Sequence, residues 1–116
     1  MNVAALVAEL FFASKVETVL AQLGCPVRVL MAADVDSLAA APPDLLVLDL
    51  GLPPEVLAAA VTAMAAAGRP VIAVGSHVDT ESHQWARQAG CAEVLTRGAV
   101  ERALGPLAAK HLARLP

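Results

Sequence analysis

The sequence predicts a single α/β domain: a parallel sheet with helices wound over both faces. Three observations carry that prediction. Short apolar runs alternate five times with longer stretches of helical spacing. Two of those runs, Leu45–Leu50 (Asp49 apart) and Val71–Val74, are apolar at successive positions, as strands covered on both sides are. The length of 116 residues suits one compact unit rather than two, so the domain is taken as 1–116.

Each element has its own local reason. Val3–Ala8 is an apolar run of strand length. Ser14–Leu23 places Val16, Val19, Leu20 and Leu23 at helical spacing, and Gly24 is a natural stop. Val27–Met31 reads as a second strand. Asp34 or Asp36 can cap a short helix running to Ala41, which Pro42-Pro43 terminates. Leu45–Leu50 is the clearest strand. Pro53-Pro54 opens a helix over Glu55–Ala67, because proline is tolerated in a first turn, and Gly68 closes it. Val71–Val74 is the fourth strand, Thr80–Ala89 a helix stopped by Gly90, and Glu93–Leu95 the fifth strand. Val100–Leu112 is an amphipathic helix with Val100, Leu104, Leu107 and Ala108 on one face. Five such units joined by right-handed crossovers put any ligand at the carboxyl ends of the strands. Those ends hold Ala8-Glu9, Met31, Asp49, Gly75-Ser76-His77 and Thr96-Arg97-Gly98.

Composition removes several function classes. A hydrophobic fraction of 58% with 16% charged residues excludes disorder. A formal net charge of -3 leaves no surplus of Lys and Arg to displace counterions from a phosphate backbone. One tryptophan, two phenylalanines and no tyrosine make a poor base-stacking platform, so no nucleic-acid partner is expected. The mean hydropathy is high at +0.65. Yet the longest charge-free stretch, Val56–Gly68, has thirteen residues, short of the roughly 18–20 that cross a bilayer. No Lys or Arg precedes the first apolar run, so no signal peptide or membrane association is expected and the chain is read as cytoplasmic. In that compartment Cys25 and Cys91 are small buried hydrophobes rather than a disulfide framework. With no glycine-rich phosphate loop, nucleophile elbow or paired catalytic acids, the chain is not expected to be an enzyme.

Asp49 stands out as a carboxylate at the end of an apolar strand, where desolvation is costly unless partners meet it. Leu46-Val-Leu-Asp49 with Pro53 four residues on, Pro70-Val-Ile, Ala86-Arg-Gln-Ala-Gly90 and Leu95-Thr-Arg97 together resemble the receiver domains of two-component response regulators. The likeness covers nearly the whole chain. It implies a flavodoxin-like, CheY-like (βα)5 fold with strand order 2-1-3-4-5. It also puts Asp49 in the phospho-acceptor place, with Glu9, Gly75, Ser76, His77, Thr96 and Arg97 around the pocket. The family's acidic pair for Mg²⁺ falls on Ala8 and Glu9, leaving Glu9 and Asp49 as candidate ligands for a weak metal. Its hydroxyl falls on Gly75, with Ser76 one residue late; its lysine falls on Arg97 and its switch aromatic on Val94.

Such departures imply a degenerate receiver-like module that signals through protein contacts, its partner an unidentified protein, a second copy included. Losing one charge-assisted ligand, worth roughly 1.5–3 kcal/mol, weakens a metal site about 10- to 100-fold. A phosphoryl group without differential contacts cannot shift a conformational equilibrium. The first alternative is a working receiver phosphorylated on Asp49. The second is a small-molecule-binding flavodoxin-like module walled by Phe11, Phe12, His77 and Arg97. Asp49 is expected to be accessible but poorly supplied with partners.

Other residues carry two readings each. Phe11 and Phe12, placed in the first loop with Ser14 as helix cap, either close the core or line a ligand; adjacent residues cannot share a helix face, so one points away. His77 caps or is solvated, or orients a ligand. His77 and His83 lack a matching third metal ligand. Trp85 is a candidate partner surface if exposed, and a cover for the sheet edge if not.

Overall fold

The computed structural model describes residues 2–114. Its element order is β1 (Val3–Leu6), α1 (Leu10–Ala21), β2 (Val27–Leu30), α2 (Ser37–Ala40), β3 (Leu45–Asp49), α3 (Pro54–Ala66), β4 (Val71–Gly75), α4 (Thr80–Gln88), β5 (Glu93–Thr96) and α5 (Val100–Leu112). All strand pairs are parallel, in the order β2-β1-β3-β4-β5. The fold class and the strand order are those expected.

Strand periodicity divides the core in two. Val3, Ala5, Val7, Leu45, Val47, Ile72 and Val74 pack against α1 and α5. Ala4, Leu6, Leu46, Leu48, Val71 and Ala73 pack against α2, α3 and α4. Both faces of the central strands are therefore dry, which explains why β3 and β4 show no polar alternation. Each fully buried leucine on them is worth about 1.5–3 kcal/mol of transfer free energy. Helix α3 contributes Leu57, Ala60, Val61 and Met64 at helical spacing and ends at Gly68, whose φ of 67° would strain any side chain.

The boundaries differ from expectation where side chains bond locally to the backbone. Helix α1 begins at Leu10, not Ser14, because Glu9 is its N-cap: the Glu9 carboxylate accepts from Phe11 N–H at 2.8 Å and Phe12 N–H at 2.9 Å. The two phenylalanines thus belong to a first helical turn rather than a loop, and Ser14 lies inside the helix. The segment before α2 is a 3-10 turn at Ala32–Asp34, where Asp34 Oδ2 accepts from Met31 N–H at 2.9 Å. Asp36 precedes α2 but makes no capping bond, and α2 itself is only four residues long.

Candidate functional site

β3 ends at Asp49, next to β1 and β4 at the carboxyl edge of the sheet. The Asp49 side chain is fully buried, which corrects the expectation of an accessible group. Three donors compensate it. Ala8 N–H donates to Oδ2 at 2.9 Å. Gly51 N–H donates to Oδ1 at 2.9 Å, and Arg97 Nη2 donates to the same oxygen at 3.1 Å. Both oxygens are therefore engaged, and the carboxylate is well supplied rather than poorly so. The chain supplies these donors from the end of β1, the turn after β3 and the end of β5, so the site exists only once the sheet has formed. Gly51 helps hold it closed, since a Cβ there would lie 3.1 Å from Asp49 Oδ1.

Arg97 has a second contact. Its guanidinium sits 5.2 Å from the centroid of the Phe12 ring, within cation–π range. Phe12 is buried and Phe11 is exposed, which resolves the two phenylalanines as the sequence required. Glu9 lies close in sequence to the Ala8 donor, but its two oxygens are taken by the start of α1.

Gly75 ends β4 on the α4 side. A Cβ there would meet His83 Nε2 and Leu50 Cδ1, both at 3.1 Å, and Leu50 Cβ at 3.3 Å. The space a hydroxyl-bearing side chain needs is filled from α4 and from the residue after Asp49. His83 is buried and its Nε2–H donates to the Ser76 carbonyl at 3.0 Å, tying α4 to the loop after β4. In the sequence His83 pairs only with His77 and lacks a third metal ligand; its position four residues after the helix cap Asp79 and three before buried Ala86 is the signal for an inward side chain. Ser76 and His77 are exposed, Thr96 is half-buried and pairs with Gly75 across the sheet. Trp85 is half-buried, packed in part against the α2–α4 core.

The described cavity lies elsewhere than the strand-end crevice. It is a groove of about 810 Å³ between α1 and α5. It takes in Glu9 and Arg97 of the expected pocket, together with Phe11 and Phe12, but not Gly75, Ser76, His77 or Thr96. Phe11, Phe12 and Arg97 border this groove, with Phe11 turned to solvent, and His77 is not part of it.

A Mg²⁺ ion asks for oxygen ligands in near-octahedral array. The residues do not fit one here: the Asp49 oxygens accept from two amides and a guanidinium, and the Glu9 oxygens from helix amides. Among the described residues no group of three or more His, Cys, Asp or Glu comes together, and no helix is long and apolar enough to cross a membrane.

No protein-family model and no curated protein matches the chain. Solved structures do. The receiver domain of NtrX from Brucella abortus superposes with a TM-score of 0.81 at 17% identity, over 98% of this chain and 100% of that one. The fold is that of response-regulator receiver domains. The receiver domain of NarL from Mycobacterium tuberculosis gives 0.79 at 19% identity, over 98% and 97% of the two chains. A CheY-like receiver domain protein from Methanospirillum hungatei gives 0.78 at 17%, over 97% and 93%. The chain also matches a longer NtrX from Brucella abortus, described in complex with ADP, but spans only 26% of that chain. In this fold Asp49 ends the central strand, Arg97 follows the end of β5, and the two are hydrogen-bonded.

Proposed function

We propose that the chain is a receiver-like regulatory module that acts through protein contacts and in which Asp49 has left phosphoryl chemistry for a structural role. The observation that carries this reading is the closed Asp49 carboxylate: no solvent-exposed surface, and both oxygens accepting from Ala8, Gly51 and Arg97. To attack phosphorus, one oxygen must leave these donors and face solvent, and the incoming phosphoryl oxygens need cations and a hydroxyl. Arg97 is the one cation hydrogen-bonded to Asp49 among the described residues, and it is already committed to neutralising that carboxylate. A hydroxyl-bearing side chain at Gly75 would need Leu50 and His83 to shift, since its Cβ would lie 3.1–3.3 Å from them. Mg²⁺ then has no role in the module.

The likeness to receiver domains supports two-component signalling as the setting, with protein surfaces as the working parts. Incubation with acetyl phosphate and Mg²⁺, read by intact mass, tests the reading. The unmodified mass is expected for the native chain. A gain of one phosphoryl group that Asp49→Asn abolishes establishes a working receiver instead.

A further inference from the structure

The Asp49 carboxylate is buried, but only just beneath the surface. The groups that meet it belong to residues that themselves reach solvent: Ala8 and Gly51 are exposed, and the Arg97 side chain is 43% exposed. Two of the three donors are backbone amides that cannot leave without unravelling the sheet edge. Ala8 follows Val7, whose N–H donates to the Leu30 carbonyl at 2.9 Å. Gly51 sits in a turn fixed by Leu50 N–H on the Val74 carbonyl at 2.9 Å and Leu52 N–H on the Asp49 carbonyl at 3.2 Å. Arg97 is different. Its donor is at the end of a flexible side chain, and among the described residues its one hydrogen bond is to Asp49. It also borders the α1–α5 groove, so the guanidinium has open space to swing into.

We propose that Arg97 is a shutter over Asp49 and that Phe12 is the latch that holds it. Rotation about the arginine's side-chain bonds breaks one charge-assisted hydrogen bond and leaves both amides on the carboxylate, so opening is local and does not require the fold to come apart. Water then takes the place of the lost donor, which offsets part of the lost bond. The latch acts in the closed position, where the guanidinium lies 5.2 Å from the centroid of the Phe12 ring. That ring is a fixed surface: Phe12 is buried, and its N–H donates to the Glu9 carboxylate that caps α1. Closing the shutter thus joins three elements, β3 through Asp49, the end of β5 through Arg97 and α1 through Phe12. The proposal deepens the reading of Asp49 given above and rests on it for its meaning: Arg97 is the group that keeps a strand-end carboxylate out of reach of reagents in solution.

Carbodiimide coupling of glycinamide to the folded full chain reads access to the carboxylate, with the amide at Asp49 located by tandem mass spectrometry. No phosphoryl transfer is involved, so the shutter and the loss of phosphoryl chemistry can each fail alone. The native chain is expected to couple slowly at Asp49. Arg97→Ala should couple about 10- to 100-fold faster, the factor of one charge-assisted hydrogen bond. Phe12→Leu should couple about two- to fivefold faster, the factor of a cation–π contact at an exposed cation. Cys91 separates opening from unfolding. It lies at the opposite edge of the sheet, next to Ala92, whose N–H donates to Val71 at the start of β4, and its alkylation should stay at the native rate in both variants. Phe12→Leu is the milder change and carries the test if Arg97→Ala is unfolded. A folded Arg97→Ala chain that couples at Asp49 no faster than the native one overturns the shutter, and a native rate in Phe12→Leu overturns the latch. A rise at Asp49 matched by an equal rise at Cys91 is global unfolding and overturns the proposal as well.

Discussion

Arg97 Nη2 donates to Asp49 Oδ1 at 3.1 Å, joining the ends of β5 and β3 across 48 residues of sequence. The pair is asymmetric: the carboxylate is fully buried while the guanidinium side chain is 43% exposed. Its energetic weight therefore lies on the aspartate, whose desolvated charge loses its hydrogen-bonded cation when the arginine is removed.

Arg97→Ala should destabilise the fold by about 1–3 kcal/mol. The lower end reflects the two amide donors that remain and the partial exposure of the arginine; the upper end reflects a buried charge that has lost its cation. Arg97→Lys should fall between, because an ammonium keeps the charge but not the flat surface against Phe12. Urea unfolding checks both. An Arg97→Ala midpoint equal to the native one means the amides alone suffice for Asp49.

Gly75→Thr should cost about 1–3 kcal/mol by overpacking, since its Cβ meets His83 Nε2 and Leu50 Cδ1 at 3.1 Å. Adding His83→Ala should recover part of that loss, as neighbours sharing one space couple. Chemical denaturation of the two single variants and the double variant measures the coupling. Strict additivity would show that His83 does not restrict this position.

Burial pushes the Cys91 thiol from 9.0 up to about 11. Near pH 8 its thiolate population is roughly 100-fold below that of a thiol at 9.0, so it should be alkylated correspondingly slowly in the folded chain and at the ordinary rate in urea. Timed iodoacetamide labelling with peptide mapping reads this directly. The same shift makes stability decline as pH rises from 9 towards 11, because the unfolded thiol ionises first.

Glu93 ties β5 to the last turn of α5: its Oε2 accepts from His111 Nε2–H at 2.8 Å and Lys110 Nζ at 3.1 Å. The His111 bond foremost, then Lys110, holds its carboxyl below the ordinary 4.5. The folded state thus favours the ionised form. Its contribution is complete above about pH 4.5 and disappears as acid protonates the group at lower pH. Asp44 acts in the same direction through the Asn2 amide and Arg69. Thermal melts between pH 6 and pH 3 should show Glu93→Gln with a flatter acid limb than the native chain.

Much of this was legible in order along the chain. Two-sided apolar runs, proline at a first helical turn and glycine after a last one are local statements, because they depend on side-chain period and backbone freedom within a few residues. They located five strands and the main helices, α5 at the bounds Val100–Leu112, and marked Asp49 as a carboxylate in an expensive place. Glu9 also acts locally: its oxygens accept from the amides of Phe11 and Phe12 within its own helix turn, which moves the helix start from Ser14 back to Leu10. What no local pattern contains is the closure of Asp49. That required Ala8, Gly51 and Arg97 to arrive from three strand ends, and the filling of the Gly75 space required His83 from α4. Such contacts depend on how parallel strands stack side by side and how far the helices lean over their ends, distances set by packing of the whole sheet. One chain of residues determined the architecture; only its folded geometry decided that the aspartate is shut and that the open cleft lies between α1 and α5.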